Sequence, residues 1–186
     1  MKLRLALVIV LSAACASAQE VALELDPAGT RVAFALGATL HTVHGTFHLK
    51  RGNIRFDPAT GKAGGELVVD ATSGNTENDG RDHKMHGSVL ESARYTEIVF
   101  TPDHVAGQLS GPGPWQVQLH GRLRIHGAEH ELVLPVEARL GPDRFTATTH
   151  FAVPYIAWGL KDPSTFLLKV NDTVNIQIQA AGRVSK

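Results

Sequence analysis

The chain has 186 residues, 43% hydrophobic, 19% charged and 6% aromatic, enough to bury a sizeable core in one domain and too apolar for a disordered chain. Eighteen Lys and Arg balance eighteen Asp and Glu. With no basic excess to neutralise a phosphate backbone, nucleic acid is a poor general partner.

Residues 1–18 read as a secretory leader. Lys2 and Arg4 form a short positive region, Leu5 to Leu11 are apolar, and Ala16-Ser17-Ala18 is a small-residue cleavage site. Removing these residues, with their two positive charges, leaves 168 residues at a formal charge of −2. Cys15, the single cysteine, leaves with the leader, so residues 19–186 contain no disulfide, thiol nucleophile or cysteine metal ligand. Lipidation at Cys15 is the competing reading, but Ser12 stands three before it where leucine is usual. No later apolar run approaches the roughly 18 residues of a membrane-spanning helix, and no stable membrane insertion is expected.

The rest reads as short strands broken by Gly and Pro, in a single domain over 19–186. Ala22 to Leu25 precedes a turn at Asp26-Pro27-Ala28-Gly29, and Arg31 to Ala38 then alternates, with Val32, Phe34 and Leu36 on one face. Less regular strands are expected over Val43 to Phe56 and Gly65 to Ala71, with Asp57-Pro58-Ala59-Thr60-Gly61 turning between them. Asp79 to Glu91 breaks the rhythm: Met85 with Val89, and His86 with Leu90, stand at i, i+4 after Asn78 and Asp79 as N-caps, which predicts one short helix. Strands are expected again at Glu97 to Thr101 and His104 to Leu109. Trp115 to His126 alternates more strictly, with Trp115, Val117, Leu119, Leu123 and Ile125 opposing Gln116, Gln118, His120, Arg122 and Arg124. His126-Gly127-Ala128-Glu129 turns into His130 to Leu140, where Pro135 marks a bulge or an edge. Arg144 to Val153, Thr165 to Val170 and Val174 to Ala180 complete the set. One short helix cannot cover a sheet, so the strands must bury their apolar faces on one another, in a sandwich or a closed barrel of roughly eight strands.

Ten histidines make a metal site the first chemistry to test. His44 and His48 would lie roughly 13 Å apart on a strand at about 3.3 Å per residue, too far for joint ligation. His83 and His86 share a helix face, yet no third ligand accompanies them, so no metal is expected. No G-x-S-x-G, H-E-x-x-H, G-x-x-x-x-G-K-[ST] or G-x-G-x-x-G occurs, and no catalytic residues, cofactor or enzymatic activity are expected. The aromatic residues in the strands fit either a packed core or the wall of an unfilled lumen, which hydrophobic pattern does not distinguish.

Several segments together carry a resemblance: Thr42-Val43-His44-Gly45-Thr46-Phe47, Arg81-Asp82-His83-Lys84-Met85-His86, Ala93-Arg94-Tyr95-Thr96-Glu97-Ile98-Val99-Phe100, Gly121 to Gly127, Trp158-Gly159-Leu160-Lys161-Asp162-Pro163-Ser164, and Val170 to Val174. In this order they resemble the YceI-like family of exported lipid-binding proteins. The chain departs from that pattern at Thr96, where proline is frequent, and at Val89-Leu90, which replaces an aromatic-rich stretch.

The resemblance implies an all-β, extended lipocalin-like antiparallel barrel with one short helix at a barrel end. Its apolar lumen would take a polyisoprenoid or a similar long amphiphile, such as an isoprenoid quinone or isoprenyl phosphate, for transport or storage. The strand positions then assigned to the lumen are Phe34, Leu36, Phe47, Phe100, Leu119, Leu123, Phe151, Trp158 and Ile176. Arg81, His83 and His86 are the head-group candidates at the open end. A homodimer is compatible with this reading. The alternative is a stress-linked structural or interaction barrel filled by its own side chains.

The leader carries a direct expectation: N-terminal sequencing of the exported protein should begin at Gln19. A lipid-modified Cys15 at the mature N-terminus would instead identify an anchored form.

Overall fold

The computed structural model describes residues 20–109, 113–166 and 168–185; the expected leader and its cleavage site lie outside them. Nine strands are present among the described residues: β1 (Val21–Leu25), β2 (Arg31–Gly37), β3 (Thr42–Phe56), β4 (Ala63–Asn75), β5 (Glu97–Gly107), β6 (Trp115–Ile125), β7 (Ala128–Leu140), β8 (Arg144–Val153) and β9 (Val174–Ser185). Every pairing is antiparallel, and the ladder β2-β9-β8-β7-β6-β5-β4 closes on itself through β3, which pairs with both β4 and β2. This is the expected barrel.

The barrel has eight staves, because β1 and β2 share one. β1 pairs with the far half of β3 (Val21 opposite Phe56) and of β9, and β2 pairs with the near halves of the same strands (Val32 opposite Phe47). The expected turn at Asp26–Gly29 is therefore an excursion from which the chain resumes its direction. Asp26 caps it by accepting from the Ala28 N–H at 3.0 Å. The similar Asp57-Pro58-Ala59-Thr60-Gly61 does reverse the chain: the Asp57 carboxylate accepts from the Ala59 N–H and the Thr60 hydroxyl, each at 2.8 Å. Those bonds hold its carboxyl below the usual range.

Long strands keep one face inward by changing parity at bulges. On β3 the register shifts between Leu49 and Arg51, so Leu49 before it and Ile54 and Phe56 beyond it are all buried. On β5 a shift between Pro102 and His104 does the same for Phe100 and Val105, fusing two expected strands into one. Thr165 to Val170 is not a strand. Its described residues, 165–166 and 168–170, are loop with one bridge, Val170 to Ala38, because β9 begins only at Val174 and already pairs with β2 and β8. Pro135 stands where β7 parts from β8: pairing begins at Val136 opposite Thr149, as suits a residue without an N–H.

The expected helix forms, with a change of winding. α1 (Asp79–Lys84) is capped by Asn78, whose side chain accepts from the Arg81 N–H at 3.0 Å. The following turn (Met85–Val89) is π-helical, closed by Leu90 N–H to Met85 C=O at 2.9 Å. The wider turn brings Met85, Val89 and Leu90 together against the barrel interior.

The β6–β7 hairpin turns through His126 (φ 50°) and Gly127 (φ 80°), with Ile125 opposite Ala128, the primed two-residue geometry that matches strand twist. A Cβ on Gly127 would stand 2.8 Å from the Tyr95 ring. Gly127→Val is expected to lower unfolding free energy by about 2 kcal/mol, read by urea denaturation, since a branched residue resists the left-handed region.

Candidate functional site

Barrel width alone does not decide whether the interior is solid; side-chain volume does. At one end Leu25, Ile54, Phe56, Leu119, Phe145 and Val184 meet in a packed core. Towards the other end, the inward positions surround an apolar cavity of about 560 Å³, within the range of small-ligand sites. Its wall takes Val32, Phe34 and Leu36 from β2, Phe47 from β3, Phe100 from β5, Leu123 and Ile125 from β6, Phe151 from β8 and Ile176 from β9. Phe34 and Phe47 lie tilted against each other with ring centroids 5.3 Å apart.

Of the nine positions assigned to a lumen, Phe34, Leu36, Phe47, Phe100, Leu123, Phe151 and Ile176 line this chamber. Leu119 and Trp158 do not. Leu119 shares the inward face of β6 with Leu123 but sits four residues deeper, in the packed half, opposite Val105 of β5. Trp158 stacks flat on His130 of β7, with centroids 4.2 Å apart. It thereby ties the turn at residues 154–160 to the strand that has parted from β8. From that turn Tyr155 and Leu160 line the chamber.

The end of the chamber is framed by α1, the turn at residues 38–41 and the loop at residues 163–170, which contribute Arg81 and Lys84, Ala38 and His41, and Pro163, Thr165 and Leu168. Lys84 donates to the Pro163 carbonyl, joining helix to loop. Arg81 is held by Thr76: Nε donates to Oγ1 at 3.2 Å and a terminal nitrogen to the carbonyl at 3.0 Å. The Thr76 hydroxyl donates in turn to Asp82 at 2.6 Å. Two of the five guanidinium N–H groups are thus spent in orienting the side chain, leaving others for a ligand.

Arg81 lines a second cavity as well. A polar groove of about 540 Å³ runs along the outer side of β2, β3 and β9, lined by Arg31, His41, His44, Glu77, Gln177 and Gln179 among others. Groove and chamber share Phe34, His41, Val43, Thr76 and Arg81. Their boundary depends on Gly45, where a side chain would run into the Phe34 ring and the Asn75 carbonyl. An apolar volume and a polar one thus abut at a cation, an arrangement suited to an amphiphile.

The other two head-group candidates are placed differently. His83 is exposed on α1 and lines neither cavity. Both His86 nitrogens are engaged inside the protein, with Nε2 at 2.8 Å from the Gly74 carbonyl and Nδ1 at 2.9 Å from Ser92 Oγ. The carbonyl only accepts, so Nε2 carries a hydrogen and donates to it. Sequence reasoning missed His41, Lys84 and Tyr155, because only tertiary structure brings their three segments to one chamber. Among the described residues, no three His, Cys, Asp or Glu side chains gather as a metal would need.

The sequence matches the model of the YceI-like domain over residues 23–181. Among solved structures, Burkholderia cenocepacia BcnA is similar with a TM-score of 0.69 at 17% identity, covering 85% of this chain and 99% of that one. A polyisoprenoid binding domain from Saccharophagus degradans, implicated in plant cell wall breakdown, gives 0.64 at 16% identity, covering 88% and 98%. The YceI protein of Campylobacter jejuni gives 0.63 at 20%, covering 80% and 88%. At these identities the likeness is one of fold. No curated protein matches the chain.

Tyr155 is buried, donates its hydroxyl to the Asn171 carbonyl at 2.8 Å, and has its pKa pushed from 10.0 up to about 12 by burial, then by Asp162 and Asp172. A folded-state pKa above the unfolded one gives stability that is whole below about pH 10 and lost as pH rises towards 12. Stability measured by denaturation should therefore fall across that window. Tyr155→Phe should lose about 1 kcal/mol at neutral pH and show a flatter fall.

Proposed function

The chain belongs to the YceI-like family, and on that premise we propose that it is a non-enzymatic carrier of a long-chain amphiphile, exported through the leader at residues 1–18 to the periplasm or beyond. The observation that carries this reading is the apolar chamber meeting a polar groove at Arg81. A polyisoprenoid tail is insoluble as a monomer, since each Å² of exposed apolar surface costs about 25 cal/mol. The chamber wall, built from Phe, Leu, Ile and Val side chains, removes that surface from water, and the groove keeps a head group hydrated.

A polyisoprenoid, whether isoprenoid quinone or isoprenyl phosphate, suits the site better than a compact ligand, because the chamber offers apolar contact throughout its depth and polar groups only at one end. Arg81 favours an anionic or hydrogen-bond-accepting head. His41, facing both volumes, is the neighbour able to donate or accept beside it. The polyisoprenoid-binding domain of Saccharophagus degradans, similar in fold, supports this choice of ligand class. The packed half of the barrel serves as its foundation, so the filled-barrel alternative describes one end of the molecule.

Organic extraction of the purified protein followed by mass spectrometry should recover an amphiphile at about one per chain; protein free of lipid that takes up neither an isoprenyl phosphate nor an isoprenyl alcohol would overturn the reading. Arg81→Ala should weaken the phosphate by an amount on the order of 1.5 to 3 kcal/mol, with little effect on the alcohol. His83→Ala should leave both nearly unchanged.

A further inference from the structure

Single exposed apolar residues are ordinary on protein surfaces; a cluster of them at one place is not. Among the described residues the exposed large hydrophobics are Leu40 (77%), Val133 (44%), Phe166 (97%) and Leu168 (42%). Three of the four sit on two neighbouring turns. Leu40 is at the tip of the turn closed by Ala38 N–H to His41 C=O at 3.0 Å, and Phe166 lies in the turn closed by Thr165 N–H to Leu168 C=O at 2.8 Å. The turns are bound to each other: the Thr39 N–H donates to the Lys169 carbonyl at 2.9 Å, and the Lys169 N–H to the Thr39 hydroxyl at 3.2 Å. Gly37 C=O and Asn171 N–H continue the join at 2.8 Å.

The same turns frame the end of the apolar chamber, through Ala38, His41, Thr165 and Leu168. An apolar surface that begins inside the barrel therefore continues out onto two projecting tips. We infer that this rim docks on the surface of a phospholipid bilayer, with Phe166 and Leu40 entering the boundary between head groups and acyl chains and the chamber opening towards the lipid. The occupant follows from the chemistry. The tips present large apolar side chains beside the mouth of an apolar chamber, and a fluid interface both accommodates isolated large side chains and lies open to such a mouth. The charge around this end is close to balanced, with Arg81, Lys84, Lys161 and Lys169 against Glu77, Asp79, Asp82, Asp162 and Asp172, so a head-group layer meets no strong electrostatic preference. With the charge nearly balanced, the apolar tips carry the binding, and docking through so few side chains is reversible.

The inference concerns the rim and is tested separately from the contents of the chamber. Flotation of the mature protein with vesicles of phosphatidylcholine, alone and with phosphatidylglycerol, should show partitioning to both to a similar extent. The Phe166→Ser and Leu40→Ser double variant should lose about tenfold or more in partitioning, as expected when large apolar side chains no longer enter the interface. Val133→Ser, which removes an exposed apolar residue of β7 away from the rim, serves as the control and should float like the natural chain. Both substituted rim positions are exposed, so circular dichroism should be unchanged, and organic extraction should recover the same lipid from all variants. Absence of flotation, or equal flotation by the rim variant and the Val133 control, overturns the inference even where lipid is recovered. Self-association abolished by the rim substitutions without flotation also overturns it, by identifying the rim as a contact between copies. Failure to recover lipid from a protein that floats would count against the carrier reading alone.

Discussion

Closure of the sheet is the constraint on which the rest of this protein depends. A strand edge in an all-antiparallel sheet presents unpaired N–H and C=O groups, and the ladder closes into a ring because β3 pairs on both sides, with β4 along most of its length and with β1 and β2 in succession on the other. Closing eight staves sets the interior width and divides each strand into an inner and an outer face. Neither of the two stave-sharing strands is long enough to close the ring alone. The Asp26–Gly29 excursion preserves direction while absorbing the extra residues, so that both fragments pair with the same two neighbours.

Given that frame, the contrast between the two ends is a matter of side-chain volume and of where the bulges fall. The parity changes on β3 and β5 direct Ile54, Phe56 and Val105 into the closed end, where they meet Leu119 and Phe145 and leave a packed core. Above them the same number of staves is lined by Val, Leu, Ile and Phe side chains that lie along the wall, with Phe34 and Phe47 packed on each other. A solid foundation and a hollow upper chamber can coexist because the ladder, and not the core alone, holds the wall in place. Where β7 and β8 part company at Pro135, the His130–Trp158 stack takes over that task through side chains.

The open end is made from chain that is not strand. α1, its π-helical continuation and the loop at residues 163–170 are tied by Lys84 to Pro163, by Arg81 and Asp82 to Thr76, and by His86 to Gly74 and Ser92. Of these bonds only Lys84 to Pro163 joins segments far apart in sequence; together they give the mouth a defined geometry in which one cation faces both an apolar and a polar volume. The π-helical turn contributes most: it places Met85, Val89 and Leu90 together, so Val89-Leu90 supplies aliphatic wall where the family pattern often has aromatic residues.

Much of the fold was legible in the amino-acid sequence because its signals are local. Alternation in Trp115 to Ile125, turn residues at Asp57–Gly61 and His126–Gly127, and an N-cap at Asn78 each depend on a few neighbouring residues, and each appears where expected. Inward parity likewise anticipated that Phe34, Leu36, Leu123 and Ile176 face the interior, where they line the chamber. Parity reports which face a residue occupies and is silent on depth along the barrel, so Leu119 and Leu123, identical by pattern, belong to the core and the chamber respectively. The same limit hid the shared stave of β1 and β2, since a turn sequence does not reveal whether the chain reverses or resumes. It also hid His41 and Tyr155, which reach the site from turns, and the internal commitment of His86, whose partners lie 12 and 6 residues away. Local chemistry therefore determined most of the strand segments and, between bulges, which residues share a face. Register, depth and the meeting of distant loops were decided only by tertiary closure, because a barrel interior is defined by all its staves at once.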